Sequence, residues 1–466
     1  MSSSQNTARQ ERLADLLQAH GVALHEAGAT TGDTERRLQR LLRRYASSGS
    51  AIASPTALWL QVGPLARIVR LPPAGLDVGR LCALRAWAEH VYAEPLSLDD
   101  ICRLHDDAVR PQPPPSWHMP AGMALMSVAG AFLLGSGWPD VVAAVVVAES
   151  VRRLAGHLGD EPVGHVRLLV LAAWANAAAS LLAVVAAAFA WSVHPVAVAM
   201  VSLLAFVPGY SMTTAMIEAA SGHTTSSTAR MASVVSDCVQ LAAGFWVTTS
   251  LTTWATAQGA ALPSTKWAPS VAFIGVALAP FGFQLLLQGP RRLLPGMVAA
   301  AVGGFALAQW VSGAWGLWVA ALWVGALGEW MQHRRQVPAL AIVAPGLLLL
   351  VPGVLSVRGM QGLLGGADVQ AGIEVLRQAL VQGGALAAGV LLAVAFSPWR
   401  GAAEMAPPAS KPTQQKRSHP LAISNPAPTV APRPFHTGPF SLQNSSHQLA
   451  NSPMDPLAYP SSDGAK

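Results

Sequence analysis

The stretches FVPGYSMTTAM (residues 206–216) and LVPGVLSVRGM (residues 350–360) each place Val-Pro-Gly at the end of a strongly apolar run. Proline removes a backbone N–H donor and clashes with the preceding helical turn, and glycine tolerates the geometry that results. Downstream of each break the chain carries Leu-Ala-Ala-Gly, at Leu241–Gly244 and Leu386–Gly389. The two breaks are 144 positions apart and the two Leu-Ala-Ala-Gly segments are 145 apart. These near-identical offsets predict two copies of one unit, each with a broken apolar helix.

The composition indicates a membrane protein. Of the 466 residues, 52% are hydrophobic and 12% are charged, and the mean hydropathy is +0.39. A soluble domain usually carries roughly 25% charged residues. Residues 1–118 hold 13 Lys/Arg and 12 Asp/Glu, as a soluble domain would, whereas residues 119–400 hold only 12 and 9. The net charge of +6 is not concentrated on one face or helix, so no nucleic-acid partner is expected.

Residues 1–118 are predicted to form a small cytoplasmic α+β domain with a Pro-rich linker. Leucine and alanine recur at helical spacing in four segments, and two short segments bounded by Gly or Pro have the β-branched character of strands. The helical segments are 8–28, 33–46, 76–95 and 97–110, and the strand segments are 50–63 and 66–72. Ser97 is a predicted N-cap, with Asp100 completing a capping box. The N-terminus has no apolar signal-peptide core, so the chain is expected to start in the cytoplasm.

From Met119 onward, apolar runs near the ~20 residues needed to cross a bilayer follow one another. Ten transmembrane helices are predicted, five in residues 119–256 and five in residues 257–400. They lie at about 119–136, 139–156, 168–191, 194–218, 231–255, 268–288, 293–312, 314–331, 338–356 and 372–396. Residues 401–466 are rich in Pro, Ser, Asn and Gln and are predicted to be a disordered cytoplasmic tail.

The arginines predict the orientation of these helices. With the N-terminus inside, nine arginines fall in the predicted cytoplasmic loops, and the opposite side holds Lys266 and Arg358, with Arg377 just inside the last helix. The nine are Arg152, Arg153, Arg167, Arg230, Arg291, Arg292, Arg334, Arg335 and Arg400. Short Arg-rich loops mark the cytoplasmic side. Both termini are therefore expected in the cytoplasm, and the protein in the cytoplasmic (inner) membrane.

The number of helices in each copy predicts how the copies are related. Five is odd, so the second copy enters the membrane from the opposite side. The predicted fold is a mainly α polytopic membrane protein with two inverted five-helix repeats, an architecture of secondary transporters that bind substrate between the repeats. Broken backbone at membrane depth survives where protein or water satisfies it, so Pro208, Gly209, Pro352 and Gly353 are candidates for lining a hydrated path. Alternatively, both Pro-Gly pairs end their helices at the membrane surface.

The chain resembles the threonine/serine exporter family over nearly all of residues 20–398. LHEAGATTGDTERRL is similar to the opening helix of its cytoplasmic domain, with Glu35 at the characteristic acidic position. VPGYSMTTAMIEAASGHTTSSTARM resembles the first-repeat signature: Pro-Gly, an acid ten residues on (Glu218), Ser-Gly and then Ala-Arg (Arg230). This chain has Ser227 where glycine is common, and Glu218 where aspartate is usual. EPLSLDDICRLHDDAVRPQPPPSW, GWPDVVAAVVVAESVRRL and LLVPGVLSVRGMQGLL extend the likeness.

The resemblance implies an exporter of small amino acids such as threonine and serine, driven by the proton-motive force. Its substrates would be an amino acid and protons, its surroundings membrane lipid, and a homo-oligomer is compatible with the sequence. Some relatives in this family are linked to dicarboxylate export, so a succinate-like substrate is the first alternative. A membrane-anchored enzyme or sensor with its activity in residues 1–118 is the second alternative. No catalytic set, cofactor-binding loop or metal-ligand spacing supports that second reading.

Ionisable groups inside membrane helices are expensive and are functional candidates by default. Asp237 lies in the predicted fifth helix, and its counterpart by the 145-residue offset is Gln382. A carboxyl group facing a semi-dry cavity could carry the coupling proton. Alternatively, Asp237 pairs with Arg230, two helical turns away.

Other polar residues could contact a substrate. Glu218 is a candidate for attracting an ammonium group, or else a solvated interfacial charge, and Arg230 is a candidate for binding a carboxylate, or else a cytoplasmic anchor. Asn176 and Ser180 share one helix face and could bind a hydroxyl group or hold helices together. Two local helix pairs are expected to be structural: Glu149 with Arg152 and Arg153, and Glu374 with Arg377.

Overall fold

A computed structural model describes residues 3–396 of the protein, apart from residues 47, 73–74, 95, 111–113, 135, 159–165, 253–268, 312, 336, 338, 349, 351–358, 360–361 and 363–368. The predicted second break, at Pro352 and Gly353, and the predicted tail lie outside the described residues. The described chain is mostly helical and has one small sheet.

The N-terminal part combines four helices with a three-stranded antiparallel sheet. Its elements in chain order are α1 (Ser3–Glu26), α2 (Thr31–Tyr45), β1 (Gly49–Ala53), β2 (Ala57–Val62), β3 (Leu65–Arg70), α3 (Val78–Ala93) and α4 (Leu98–Val109). The strand order is β1-β2-β3. Leu58, Leu60 and Val62 alternate along β2 and are buried against α1 and α2, as a one-sided sheet requires. The α+β character predicted for this region is confirmed.

The strand prediction needs one correction. Residues 50–63, predicted as one strand, form two strands joined by a turn at Ser54–Thr56. The Ser54 hydroxyl accepts from Ala57 N–H at 3.0 Å, and Pro55 has no N–H to offer a sheet. Ser97 is the N-cap of α4 as predicted, but its hydroxyl both accepts from Asp100 N–H (3.2 Å) and donates to Asp100 Oδ2 (2.6 Å). The aspartate thus contacts the cap hydroxyl, because its side chain is shorter than the glutamate of a usual capping box.

Eleven further helices follow in the described chain. They are α5 (His118–Leu133), α6 (Trp138–Leu158), α7 (Arg167–Ala187), α8 (Pro195–Ser202), α9 (Gly209–Ala220), α10 (Thr224–Thr252), α11 (Pro269–Leu286), α12 (Leu294–Trp310), α13 (Gly313–Arg335), α14 (Ala339–Leu348) and α15 (Val369–Ala395). By length and apolar composition, four helical stretches in the described chain can cross a membrane: Arg167–Ala187, Thr224–Leu251, Arg291–Trp310 and Val369–Ala395. The bent pair Pro195–Ser202 and Leu204–Ala219 would make a fifth. The protein is therefore a multi-helix membrane protein, and the number of crossings beyond these stays a prediction.

The first Val-Pro-Gly does break a helix. The predicted fourth span, 194–218, is two helices: α8 ends at Ser202, a 3-10 turn covers Leu204–Phe206, and α9 begins at Gly209 with an overall bend of 49°. Pro208 is the N-cap residue of α9 and is buried together with Gly209. The predicted fifth span also changes, because α10 starts at Thr224, seven residues earlier than expected.

Glycines allow several pairs of helices to approach closely. A Cβ atom on Gly244 of α10 would lie 2.3 Å from Leu169 O of α7, and one on Gly389 of α15 would lie 2.4 Å from Trp318 O of α13. These are the last residues of the two Leu-Ala-Ala-Gly segments. Between α5 and α11, Gly122 lies against Leu286, Gly282 against Met126, and Gly275 against Ala129. Residue numbers rise along one of these helices as they fall along the other, so α5 and α11 pack antiparallel.

The N-terminal part contacts three separate regions of the membrane helices. The N–H of Val78 in α3 donates to Leu287 O after α11 (3.0 Å), and Arg85 Nη1 donates to Val337 O between α13 and α14 (3.0 Å). The third contact is to α9 and α10, and it contains most of the charged residues singled out in the sequence.

Candidate functional site

Glu218 is at the centre of the polar contact between the N-terminal part and the membrane helices. Its side chain, near the end of α9, is only 2% exposed. Gly222 has φ of +84°, so the chain leaves α9 in the left-handed conformation that glycine adopts without strain, and α10 starts two residues later. This tight turn brings Ser226 and Arg230 of α10 beside the Glu218 carboxylate. The solvated interfacial charge considered for Glu218 is therefore wrong.

Arg230 is the ionic partner of Glu218. Its Nε donates to Glu218 Oε2 at 2.9 Å, and the arginine side chain is 12% exposed. The two η nitrogens of Arg230 make no hydrogen bond within the described part of the chain. The alternative considered for Asp237, a pair with Arg230, is wrong, because the arginine turns to Glu218 instead. A buried carboxylate needs such a partner, since an isolated charge in the interior is expensive.

The second oxygen of the carboxylate is bound by Thr31, which comes from the N-terminal part. Thr31 N–H donates to Glu218 Oε1 at 3.1 Å, and Thr31 Oγ1 lies 3.1 Å from the same oxygen and 2.9 Å from Ser226 Oγ. A carboxylate only accepts, so the threonine hydroxyl donates to Glu218 and accepts from the serine hydroxyl. Thr31 and Ser226 are both buried.

The sequence of the α1–α2 turn explains why the backbone N–H of Thr31 is available to bond a group outside its own helix. Thr30 is the N-cap of α2, with φ of −68° and ψ of 152°, and its side chain accepts from Asp33 N–H. Thr31 is then the first residue of the helix, where a backbone N–H has no partner within the helix. The positive end of the helix dipole also favours a carboxylate at this position. Glu218 thus caps a helix that belongs to another part of the molecule.

Two flanking contacts hold the same turn. The Tyr210 hydroxyl donates to Gly28 O at 2.9 Å, and His223 Nε2 lies 3.6 Å from Glu35 Oε2. Glu35 Oε1 also accepts from Ala53 N–H at 2.8 Å, so this acid links β1 to the contact. A Cβ on Gly32 would lie 2.7 Å from the His223 ring. Glycine at position 32 therefore permits the close approach of α2 to the turn that precedes α10.

The electrostatics of the first turn of α2 are fixed by two buried arginines. Burial disfavours ionisation of Asp33, but Arg37 and Arg85 outweigh it and hold the pKa of this carboxyl at about 2. Arg37 Nε donates to Asp33 Oδ2 at 2.8 Å. Burial lowers the pKa of Arg85 to about 10, which leaves it charged at neutral pH. Since Arg85 also bonds Val337 O, this network connects the α1–α2 turn to a second region of the membrane helices.

Asp237 is placed apart from this site. It lies in α10, two turns beyond Arg230, with its side chain partly exposed, and no residue in the described ranges forms a hydrogen bond or ion pair with it. Gln382 of α15 is likewise partly exposed and has no hydrogen-bond partner among the residues described. The structure therefore does not bring Asp237 together with Glu218 and Arg230.

The hydroxyl and amide candidates on α7 face α10. Asn176 Nδ2 donates to Thr249 Oγ1 at 2.9 Å and to Phe245 O at 3.4 Å, so this residue holds two helices together. Ser180 is buried, and its hydroxyl has no hydrogen-bond partner in the described part of the chain. The two local pairs are confirmed: Glu149 with Arg152 (2.7 Å) and Arg153, and Glu374 with Arg377 (2.6 Å).

Sequence reasoning missed two features. Nothing in the sequence indicated that Thr31 and Ser226 belong to the site, because their contact joins residues 195 positions apart. Asp140 was also missed: it is 1% exposed at the start of α6 and accepts from His194 N–H (2.7 Å) and from His194 Nδ1 (3.0 Å). An acid in the second position of a predicted apolar helix was the available signal for Asp140.

Known proteins resemble this chain along most of its length. Residues 15–252 match the family described as "Putative threonine/serine exporter", and residues 272–396 match the family described as "Threonine/Serine exporter, ThrE". The "Probable threonine/serine exporter" of Mycobacterium tuberculosis is 24% identical over 403 residues, which cover 82% of this chain and 74% of that relative. No solved structure matches the chain.

Proposed function

Because the chain belongs to the threonine/serine exporter family, we propose that it exports small amino acids such as threonine and serine across the cytoplasmic membrane, in exchange for protons. The observation that supports this substrate class is the buried Glu218–Arg230 pair. An amino acid is a zwitterion, and a site that holds one needs an acceptor for the ammonium and a donor for the carboxylate. Glu218 supplies the acceptor and the η nitrogens of Arg230 supply the donor.

Hydroxyl groups around the pair favour a hydroxylated amino acid. Ser226 Oγ is hydrogen-bonded next to the carboxylate in the structure, and it can both donate and accept. A site built to bond a hydroxyl rejects an analogue that lacks it, since its buried polar groups then stay unpaired. Threonine and serine satisfy such a site, whereas a dicarboxylate would place its second negative charge near Glu218.

Two inverted five-helix repeats are part of the proposal, and matched packing supports them. Gly244 lies against Leu169, Ala172 and Ala173 of α7, and Gly389 lies against Trp318, Ala321 and Leu322 of α13. Each set has the spacing i, i+3 and i+4, and the two sets differ by 149 positions. Trp174 Nε1 donates to Ser150 Oγ at 3.1 Å, and Trp323 Nε1 donates to Ala299 O at 3.2 Å, with the same offset.

The arrangement of the first helices supports the inversion. The proposed repeats begin with α5 and α11, which pack antiparallel, as expected for helices related by a two-fold axis in the membrane plane. In this scheme the break before Pro208 opens the hydrated path beside Glu218, and Pro352 is its counterpart. Both termini are proposed to be cytoplasmic, since the turns contacting the N-terminal part are among those with the predicted cytoplasmic arginines.

Asp237 is proposed as the proton carrier. It is the acid in the membrane helices that lacks a partner in the described chain, so a proton can bind it without breaking an ion pair. Gln382 occupies the equivalent position of the second repeat, and an amide there cannot titrate. Only the first repeat would then carry the coupling proton.

A flux assay tests the proposed function. The purified protein is reconstituted into vesicles loaded with labelled L-threonine, L-serine or succinate, and a pH gradient is imposed. Efflux of threonine and serine that depends on the gradient is expected, with little succinate efflux. Gradient-driven succinate efflux without threonine efflux would instead establish the dicarboxylate alternative. A soluble activity confined to residues 1–118, with no flux of any of the three, would establish the enzyme or sensor alternative.

A further inference from the structure

The contacts of Thr31 match those that a free threonine would make at the proposed site. Glu218 Oε1 receives a nitrogen donor at 3.1 Å and a β-hydroxyl oxygen at 3.1 Å, both from the one residue Thr31. Ser226 Oγ lies 2.9 Å from the same hydroxyl. A free β-hydroxy amino acid presents the same two groups, an ammonium and a hydroxyl, at the same separation across its Cα–Cβ bond.

Thr31 has no free carboxylate, and the η nitrogens of Arg230, which could bind one, make no hydrogen bond in the described part of the chain. Within a polypeptide the carboxyl of Thr31 is a peptide carbonyl and carries no charge. The η nitrogens of Arg230 correspondingly have no hydrogen-bond partner in the part of the chain that the structure describes, although Nε of the same guanidinium is bound to Glu218. A guanidinium with free terminal N–H groups matches a carboxylate.

We propose that Thr31 is a tethered substrate mimic: it occupies the site in which Glu218, Ser226 and Arg230 bind a free β-hydroxy α-amino acid, and export requires its withdrawal. This inference rests on the proposed function. It adds where the substrate binds and identifies Thr31 as the group that competes with it. Gly32 allows the close approach of the mimic, since a Cβ there would lie 2.7 Å from the His223 ring. The Tyr210–Gly28 hydrogen bond (2.9 Å) holds the other end of the same turn.

The mimic makes a quantitative difference to substrate affinity. A ligand can bind only the fraction of molecules in which Thr31 has left the site. Its apparent dissociation constant therefore equals its intrinsic dissociation constant divided by that open fraction. Loss of a hydrogen bond between Thr31 and the charged Glu218 is expected to raise that fraction about tenfold. The isolated protein therefore holds threonine weakly, and variants that release Thr31 hold it more tightly.

Two substitutions remove the mimicry in the full-length protein. Thr31→Val deletes the hydroxyl and keeps the shape of the side chain. Thr31→Pro also deletes the N–H, and proline suits the first position of a helix. Thr30, with ψ of 152°, already has the backbone conformation required before proline. Thr34→Val is the matched control, since within the described part of the chain the buried Thr34 hydroxyl bonds only the carbonyl oxygen of Thr30, the N-cap residue of the same helix.

Equilibrium binding of labelled L-threonine to these proteins in detergent tests the proposal. Thr31→Val and Thr31→Pro are expected to bind threonine about tenfold more tightly than the native chain and Thr34→Val. Adding Glu218→Gln to Thr31→Val should abolish the gain. L-Valine, which lacks the hydroxyl, should bind all of these proteins weakly. Native or weaker threonine affinity in both folded Thr31 variants would overturn the proposal.

A measurement on the native chain covers the case in which neither variant folds. Free threonine should displace Thr31, so hydrogen exchange of the amides of residues 30–33 should speed up with added L-threonine and not with L-valine. Unchanged exchange at a threonine concentration that saturates efflux would overturn the mimic while the proposed function stands. Absence of threonine and serine efflux from the native protein in vesicles would instead overturn the proposed function itself.

Discussion

At the scale of single residues, Glu218 and Arg230 illustrate how an ion pair with little water around it is maintained. Each charge would be costly alone, and removing one partner of such a pair typically costs about 3–5 kcal/mol because the other charge stays buried. The carboxylate receives a second and a third hydrogen bond from Thr31, so both of its oxygens have a partner. The site is therefore stable when closed, yet the N–H and the hydroxyl that Thr31 supplies are groups that an amino-acid substrate can replace.

These residues also mark the limit of prediction from sequence. Glu218 and Arg230 were identifiable because charges are rare among apolar helices, and both lie at the site. Their pairing was not predictable, since it depends on the turn at Gly222 that folds α10 back on α9. Thr31 could not have been identified, because nothing in its own helix distinguishes it from Thr30 or Thr34.

Asp237 gives a prediction about coupling. Asp237→Asn keeps the size of the side chain but cannot bind a proton, so efflux driven by a pH gradient is expected to fall at least tenfold. Threonine–threonine exchange, which needs no net proton movement, should persist near the native rate. Both are measured in vesicles, with Glu374→Gln as the control, because Glu374 forms an exposed pair with Arg377 at the start of α15. Native gradient-driven efflux in Asp237→Asn would exclude Asp237 as the carrier.

A second residue-scale prediction concerns His105, in an aromatic cluster of the N-terminal part. The rings of His20, Trp87 and His105 have centroids 4.5–5.3 Å apart, and both histidines are buried. Burial lowers the pKa of His105 from 6.5 to about 4, and burial together with the neighbouring His105 lowers that of His20 well below 6.5. The unfolded chain therefore gains protons below pH 6.5 that the folded chain does not.

It follows that the stability contributed by these two neutral histidines is fully present above about pH 6.5 and is lost as the pH falls toward 4. By linkage, His105 alone should cost about 2 kcal/mol of unfolding free energy between pH 7 and pH 5. His105→Phe should remove this part of the pH dependence, measured by hydrogen exchange of α4 corrected for the intrinsic rate. His90→Phe, on the surface of α3 and outside the cluster, should leave the dependence as it is. A pH dependence that survives in His105→Phe would refute the assignment.

At the scale of elements, the sequence predicted where helices lie better than how they end. Each of the ten apolar runs contains a helix in the described chain, because hydrophobic content over about 20 residues is a strong signal. The breaks and starts depended on single residues and on neighbours far away in sequence. Thus α10 begins seven residues before its apolar run. These residues, TTSSTAR, include hydroxyl groups and Arg230 that pack against α9 and the N-terminal part.

The Leu-Ala-Ala-Gly segments allow a matched prediction in two helices. Gly244→Ala would place a methyl group 2.3 Å from Leu169 O, and Gly389→Ala would place one 2.4 Å from Trp318 O. Both contacts are with backbone, which cannot move aside, so each variant is expected to lose about 1–3 kcal/mol of stability by overpacking. Gly384 lies in the same helix as Gly389, and a Cβ atom on it would meet no atom within 4 Å, so Gly384→Ala should be neutral or stabilising.

Thermal unfolding in detergent measures these effects. If the two crossings are equivalent parts of a repeat, Gly244→Ala and Gly389→Ala should lower the midpoint by similar amounts relative to Gly384→Ala. An effect in only one of the two helices would argue that the Leu-Ala-Ala-Gly segments are alike by chance.

At the scale of the whole molecule, the N-terminal part connects otherwise separate regions of the membrane helices. Thr31 binds α9 and α10, Val78 binds the end of α11, and Arg85 binds the turn between α13 and α14. In the proposed repeat scheme these regions belong to both copies. A movement of one copy against the other would therefore strain at least one of the three contacts, which gives the N-terminal part a physical means to favour one state of the transporter.

The inverted repeat makes a prediction about sidedness that a parallel repeat does not share. Trp191 lies between α7 and α8, and Arg334 lies at the end of α13 just before α14, so both mark the connection between the third and fourth helices of a proposed copy. Inversion puts these connections on opposite sides of the membrane, with Trp191 outside. In a chain whose three cysteines have been replaced, Trp191→Cys should react with an impermeant maleimide in intact cells, and Arg334→Cys only after permeabilisation. Both side chains are exposed in the protein, so burial would not mask either site. Labelling of both positions from the same side would mean that the copies are parallel, and the proposed passage between inverted repeats would then be wrong.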